Sequence, residues 1–360
     1  MSHFSTPAGS YELRQRLRRS MPEGAFEPEP FRGVVALLQL PLIVGLCAVV
    51  VSGALPTWTG PVMGFVIGQI VTSQGLIAHE TMHRATFRSR ALQILVGWLG
   101  FCWYFITPGT WHAWHVLGHH GHTQEGEGDP DQLMTLERYR ASRLARWIHA
   151  VTPGSRNPIS YVSIVFLFTL QAQLFLWHYA SLPAFEKVRM NRTRERLGTV
   201  ALVAAWSALG WSLGAYNALC VIVIPMLTAN ATLMMYIASN HWLRPVTPDH
   251  NNPFTNTNSV SVPAFLDWLH VSFSYHQEHH IFPQMSPRWA PILRERLRKA
   301  EPSAVVVWPI GAVWHKLFTT PSIYADDHTL VHPDGSGAVT VEEIAAQMEG
   351  REGLAAVAAR

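Results

Sequence analysis

The chain is short of charge. Asp, Glu, Lys and Arg together make up 14% of its 360 residues, against roughly a quarter in a soluble domain. Hydrophobic residues reach 48%, so lipid belongs among the solvents this chain meets. The net charge is only +3, and the positive residues fall in a few clusters. A nucleic-acid binder presents a basic face or stripe instead, so no nucleic-acid partner is expected. Cysteine is scarce as well: Cys47, Cys102 and Cys220 each sit inside an apolar stretch, and no CxxC pair occurs. That leaves no disulfide framework and no zinc ribbon. Internal repeats and low-complexity tracts are missing. The first residues given are polar. The basic stretch 11–19 (YELRQRLRR) precedes the first apolar run, and a cleaved signal peptide is not expected.

What the chain does have is histidine, 19 in all. Eight of them form three knots: HETMH at 79–83, HVLGHH at 115–120 and HQEHH at 276–280. His79 and His83 are four apart and share one face of a helix, as do His115 and His119. His276, His279 and His280 follow the i, i+3, i+4 pattern, and His120 adjoins His119. Each knot can therefore aim two or three imidazoles at a common point. Neutral imidazole suits iron, zinc and copper. Eight such nitrogens exceed one zinc, which takes four ligands, and match two metals with an open position each. His112 and His122 flank the second knot and read as supporting or surface positions. His3, His149, His178, His315, His328 and His332 are isolated and read as incidental. Carboxylates near the knots are few: Glu80, Asp129, Asp131, Asp267 and Glu278. Glu80 and Glu278 point off the histidine faces, either to orient imidazoles through their second nitrogen or to face solvent.

Six apolar runs cover roughly 34–55, 61–78, 91–108, 158–180, 199–214 and 217–238, and a spanning helix needs about 20 such residues. Runs one and two form a hairpin through a short turn near Pro56. If the three knots meet, they lie on one side of the membrane. Arg84, Arg88 and Arg90 follow the first knot, and the stretch 186–196 (EKVRMNRTRER) holds five Lys or Arg, so that side is cytoplasmic. Runs three and four must then dip in and return, or lie flat. Runs five and six form a second hairpin through the turn 214–217, which brings Asn240 and His241 back to the knots. His241 becomes a ninth candidate ligand, against the plainer reading of an interfacial histidine. The expected fold is all-α and membrane-embedded, with four spanning helices in two hairpins, interfacial or re-entrant helices, and a cytoplasmic cap. The expected divisions are 1–33 (N-terminal cytoplasmic segment), 34–300 (membrane domain with its cap) and 301–360 (C-terminal tail). The stretch 245–263 (PVTPDHNNPFTNTNSVSVP) reads as a flexible loop, with His250 a bystander within it. HPDG at 332–335 reads as a turn.

HETMH, HVLGHH and HQEHH resemble the three histidine boxes of the membrane fatty acid desaturase and hydroxylase superfamily. The resemblance covers roughly residues 30 to 300. YHQEHHIFPQMSPR (275–288) is similar to the third box of acyl-lipid desaturases, and HHGHTQEGEGDPD (119–131) to the region after the second box in bacterial desaturases and carotenoid ketolases. The resemblance implies four spanning helices and a cap holding a di-iron centre. It assigns His79, His83, His115, His119, His120, His276, His279 and His280 as ligands and places His241 where relatives carry a further one. Three residues separate His115 from the histidine pair, where many desaturases have two. Alkane hydroxylases share that wider gap and a glycine like Gly118.

The activity implied is O₂-dependent desaturation of a fatty acid or lipid acyl chain by C–H abstraction. Two Fe ions form the centre, O₂ is co-substrate, and an external donor of ferredoxin or cytochrome b5 type supplies electrons. Hydroxylation or ketone formation on the same scaffold is the alternative within the class. A membrane metal transporter is the alternative outside it, disfavoured because transporter ligands lie near the bilayer midplane whereas the knots sit at helix exits. The aromatic run GWLGFCWYF (97–105) lines the substrate slot or forms an interfacial belt. The basic residues on 287–299 dock an acidic donor or rest on anionic lipid. The setting implied is a multi-pass protein of a bacterial inner membrane with its site on the cytoplasmic face.

Overall fold

The computed structural model describes residues 7–247 and 251–358; His3 and His250 lie outside them. Among the described residues, three helices are long and apolar enough to cross a membrane: α2 (Pro30–Val51), α3 (Thr59–Met82) and α8 (Ala215–His241). A fourth candidate is broken. Helix α4 (Arg90–Tyr104) and helix α5 (Pro108–His122) meet at 93°. Between them Phe105 adopts a left-handed backbone (φ 56°) and Thr107 caps α5 by accepting the Thr110 N–H at 3.1 Å. Pro108 follows at the first helical position, where its fixed φ suits a helix start. The third apolar run thus turns sharply at 105–107, and His115 comes back to His79.

Further helices are α1 (Pro7–Ser20), α6 (Leu167–Trp177), α7 (Arg192–Leu213), α9 (His276–Ile281), α10 (Ala290–Ala300), α11 (Ile310–Thr319) and α12 (Val341–Ala358), besides shorter helical turns. Run four, expected to dip or lie flat, is the bent segment that includes α6. Run five, expected to span, is α7. It is 22 residues long but opens with RTRER, so it is not among the three apolar enough by composition. Its outward side still exposes Leu197, Val200, Val203, Leu209 and Trp211. Helix α2 is similar, with Leu38, Leu40, Leu42 and Val44 exposed. Bare in water, each such side chain forgoes about 1.5–3 kcal/mol of burial.

Helix α3 lies at the centre. Its stripe Gly60, Gly64 and Gly68 faces α8: an added Cβ would fall 2.4 Å from the Cys220 carbonyl oxygen at Gly64 and 2.6 Å from Thr228 Cβ at Gly68. Small residues four apart allow this backbone approach in membrane helices. At the first box Gly100 of α4 abuts Ala78 of α3, where a Cβ would lie 2.4 Å from its neighbour. The first box and His241 are thereby carried on helices packed nearly backbone to backbone.

The stretch expected to be a flexible loop is packed. Asn252, Thr255, Asn256, Thr257, Asn258 and Ser259 are all 4% exposed or less. Its asparagines bond main chain elsewhere: Asn251 to the His120 carbonyl (2.7 Å), Asn256 to Thr123 (2.8 Å) and Asn258 to Ser239 (2.9 Å). Side-chain amides that read as loop formers are stitching here, because they satisfy buried backbone groups. Strand β1 (Ser259–Ser261) pairs in parallel with β2 (Val307–Pro309). The C-terminal stretch forms a small antiparallel sheet of β3 (Ile323–Tyr324), β4 (Thr329–Val331) and β5 (Val339–Thr340). It packs Trp308, Tyr324, Leu330, Ile344 and Met348 into the same core as α3 and α8.

Candidate metal centre

The nine histidines singled out in the sequence converge in two groups. His79, His83, His115, His120 and His279 form one, and His119, His241, His276 and His280 the other; within each group one ring nitrogen per residue lies within 4.8 Å of the rest. The first box stays together on the last turn of α3. The second and third boxes divide. Residues His112–His119 wind as a π-helix, which brings i and i+5 onto one face. His115 and His120 therefore join the five-imidazole group, while His119 turns to the other. On α9, His276 and His280 point one way and His279 the other. A common point for each knot was the expectation from α-helical spacing. The wider π turn and the close sequence of the third box instead feed two points from each.

The ring nitrogens face one another closely. His79 Nε2 lies 2.9 Å from His115 Nε2, which is 3.1 Å from His120 Nε2, in turn 3.1 Å from His279 Nε2. In the other group His276 Nε2 lies 2.8 Å from His241 Nε2 and 3.1 Å from His280 Nε2. A neutral imidazole has one N–H and one bare nitrogen. One hydrogen cannot serve a chain of four converging Nε2 atoms, whereas a cation between them accepts every lone pair at once. His83 Nε2 is buried with no hydrogen-bond partner among the described residues. Burial and neighbouring imidazoles hold His276 and His280 well below the ordinary histidine range, and burial, with His119 nearby, pushes His279 down to about 3. These rings are neutral donors. The donor set fits two cations, and five-plus-four imidazoles exceed a single tetrahedral zinc.

Carboxylates support the rings without replacing them. Asp129 Oδ1 is 2.9 Å from His119 Nδ1, and Asp131 Oδ2 is 3.5 Å away. An Nδ1–H directed to a carboxylate fixes the tautomer that leaves Nε2 bare. Asp131 is itself held by Trp114 Nε1 (2.8 Å), and Asp129 by the Gln124 N–H (2.9 Å). Glu80 and Glu278 are buried, at 2% and 0% exposure, which rules out the solvent-facing reading. Neither touches an imidazole by hydrogen bond. Glu80 faces Arg32 at 3.7 Å. Glu278 accepts from Arg294 Nε and Nη2 at 2.6 and 3.0 Å and from the Ser259 hydroxyl at 2.7 Å, locking the basic helix α10 to the third box. His122 pairs with Glu125 at 2.7 Å, and His112 lines a surface cleft.

Two of the cavities that border the cluster differ sharply in character. A narrow apolar pocket is walled by Leu76, Phe101, Trp111, Trp114, Phe168 and Phe273, with rings from both groups on its side. Of the aromatic run 97–105, Phe101, Trp103 and Tyr104 are buried and Trp98 is partly exposed. An open cleft of about 580 Å³ reaches His83 and His120 between Arg14, Arg18 and Arg84. Two residues of the site were passed over in the sequence. Gln124 donates to the carbonyls of His241 (2.9 Å) and Arg244 (3.0 Å), and His270 is buried beside α3 and α8. Neither has a spacing signal; both act through contacts far along the chain.

Apolar helices of membrane-spanning length around a buried knot of imidazoles define a protein of the membrane type with a candidate metal centre. The fatty acid desaturase family model matches residues 56–311, and the chain belongs to that family. It is 24% identical over 260 residues to an acyl-lipid (9-3)-desaturase of Borago officinalis. The match covers 67% of this chain and 56% of the relative, so the chain spans little more than half of that protein.

Proposed function

We propose that the protein is an O₂-dependent di-iron desaturase of fatty acyl chains, with the nine histidines as ligands in groups of five and four. The observation that carries this reading is the placement of both groups along one narrow apolar pocket. Two iron ions, when bound, supply the oxidising power that an unactivated C–H bond requires. The overall change converts two adjacent methylenes and O₂, with two electrons and two protons, to an alkene and two waters. The chain's own residues do the rest. Leu76, Phe101, Trp111, Trp114 and Phe273 exclude water and confine a methylene chain beside the imidazoles. Asp129 holds His119 in the tautomer that offers Nε2. The substrate class is an acyl lipid, in line with the Borago officinalis relative.

The electrons come from an external carrier of ferredoxin or cytochrome b5 type. The open cleft suits an acidic carrier, because Arg14, Arg18 and Arg84 surround the route to His83 and His120 and opposite charge speeds encounter. We take the site to face the cytoplasm, with α7 as a fourth span. In support, Glu195 in the basic stretch 186–196 bonds Thr107 at the start of α5, so that stretch adjoins the helix bearing the second box. Labelling Arg192→Cys with an impermeant reagent outside right-side-out vesicles should give no reaction; labelling there would overturn the assigned side.

Hydroxylation is the second reading, favoured by the wider gap between His115 and the pair that follows it. Mass spectrometry of lipids from a host expressing the chain separates the two. Acyl chains lighter by two hydrogens support desaturation, and chains heavier by one oxygen support hydroxylation. Unchanged lipids alongside a protein that carries two irons would reject both.

A further inference from the structure

Outside the nine-imidazole cluster, one more histidine is buried with both ring nitrogens engaged. His270 is 2% exposed. Its Nε2 lies 3.1 Å from Gln69 Oε1, and its Nδ1 lies 3.0 Å from the Tyr236 hydroxyl. Gln69 Nε2 donates to Thr232 Oγ1 at 3.2 Å, and that hydroxyl donates to the Thr228 carbonyl at 3.0 Å. The direction of this chain of bonds is forced. A carboxamide oxygen only accepts, so Nε2 carries the hydrogen and Nδ1 accepts from the tyrosine. Burial pushes the His270 pKa down to about 4, in keeping with a neutral ring. With both nitrogens occupied, His270 is no metal ligand. It ties the segment before the third box to α3 through Gln69 and to α8 through Tyr236.

The residues that follow are strained. Val271 and Ser272 both have left-handed backbones, with φ of 51° and 62°. For a β-branched valine that is a true outlier, and such strain persists only where the surroundings enforce it. Asp267 helps: its carbonyl accepts the Ser272 N–H at 2.8 Å and its carboxylate the Ser274 hydroxyl at 2.5 Å. The reversal presents Phe273, whose ring lies 5.2 Å from His79, 5.0 Å from His276 and 5.7 Å from Tyr236. His276 comes three residues later.

We infer that His270 is a positioning residue, which by bonding Tyr236 and Gln69 holds the strained reversal that seats Phe273 and so aims His276 into the four-imidazole group. The inference rests on His276 being a metal ligand. The test uses full-length protein loaded with iron, comparing wild type, His270→Ala, Tyr236→Phe and the double variant. Iron per chain, the Mössbauer signature of the two irons, kcat and KM are measured. His270→Ala should lower kcat at least about tenfold, as loss of supporting contacts at metal sites does, with KM within about twofold. The signature of one iron should change while the other holds. Tyr236→Phe should shift the same signature with a smaller loss of kcat. The double variant should be no worse than His270→Ala, because both act through one contact. Wild-type signatures and turnover in both single variants would overturn the inference, as would an equal change at both irons, which marks a general structural role. If His270→Ala does not fold, Tyr236→Phe decides by the same signature. Wild-type protein that takes up no iron would instead sink the metal reading, before any variant is made.

Discussion

The two imidazole groups are assembled from the same three boxes and sit in different surroundings. Every member of the four-imidazole group is buried, whereas His120 and His279 of the five-imidazole group are partly exposed. The buried group is braced from behind: Asp129 and Asp131 hold His119, and Gln124 holds the main chain at His241. Among the described residues, no carboxylate makes such a bond to the five-imidazole group. It meets instead the open cleft between Arg14, Arg18 and Arg84. Low dielectric makes a satisfied polar network stiff and an unsatisfied one costly, so the enclosed group needs its bracing and the open one needs less. On the proposed reading, one side is built to keep its geometry and the other to be reached.

The largest expected effects come from breaking either group. His276→Ala and His279→Ala should each abolish turnover and lower iron per chain, by elemental analysis of purified protein, while the membrane helices stay folded. A variant with full iron and normal turnover would remove that histidine from the ligand set. His241→Ala belongs beside them. As a ligand it should cost nearly as much as His279→Ala. As an interfacial residue it should shift stability by no more than about 0.5 kcal/mol and leave activity intact.

A smaller effect separates the groups by their bracing. Asp129→Asn keeps the shape but weakens the hold on His119, and should cost about 10–100-fold in activity or iron affinity. The loss should appear as one iron per chain, drawn from the braced group. Equal loss of both irons would erase the contrast.

The smallest effect concerns access. Arg14→Glu with Arg18→Glu should slow turnover several-fold with an acidic protein donor and weaken its dependence on salt. Turnover driven by a small chemical reductant should not change. If it falls equally, the cleft supports the fold and does not receive the donor.

Much of the site was legible in the chain before any fold was known. The three boxes stand out because helical spacing repeats within a few residues, and His241 was expected beside them from the count of crossings together with the family resemblance. The apolar runs placed α2, α3 and α8, and a run that must turn back proved to be sharply bent at 105–107. What was not legible depends on partners distant in sequence. Asn256 and Asn258 look like loop formers until the carbonyls of Thr123 and Ser239 are beside them. Glu278 could equally have faced water until Arg294 and Ser259 enclosed it.

Local pattern alone determined the chemistry: imidazoles in quantity, little charge, and apolar runs of membrane length. Those properties belong to residues and their near neighbours, so a one-dimensional reading reaches them. Only the tertiary structure decided how the imidazoles divide. A π turn at His112–His119 sends His115 and His119 to different groups, and no residue identity announces it, since helix type there is set by packing. The same holds for His270, an unremarkable histidine in the sequence. It gains its place only because Gln69 and Tyr236, 201 and 34 residues away along the chain, close on its two nitrogens when α3 and α8 pack.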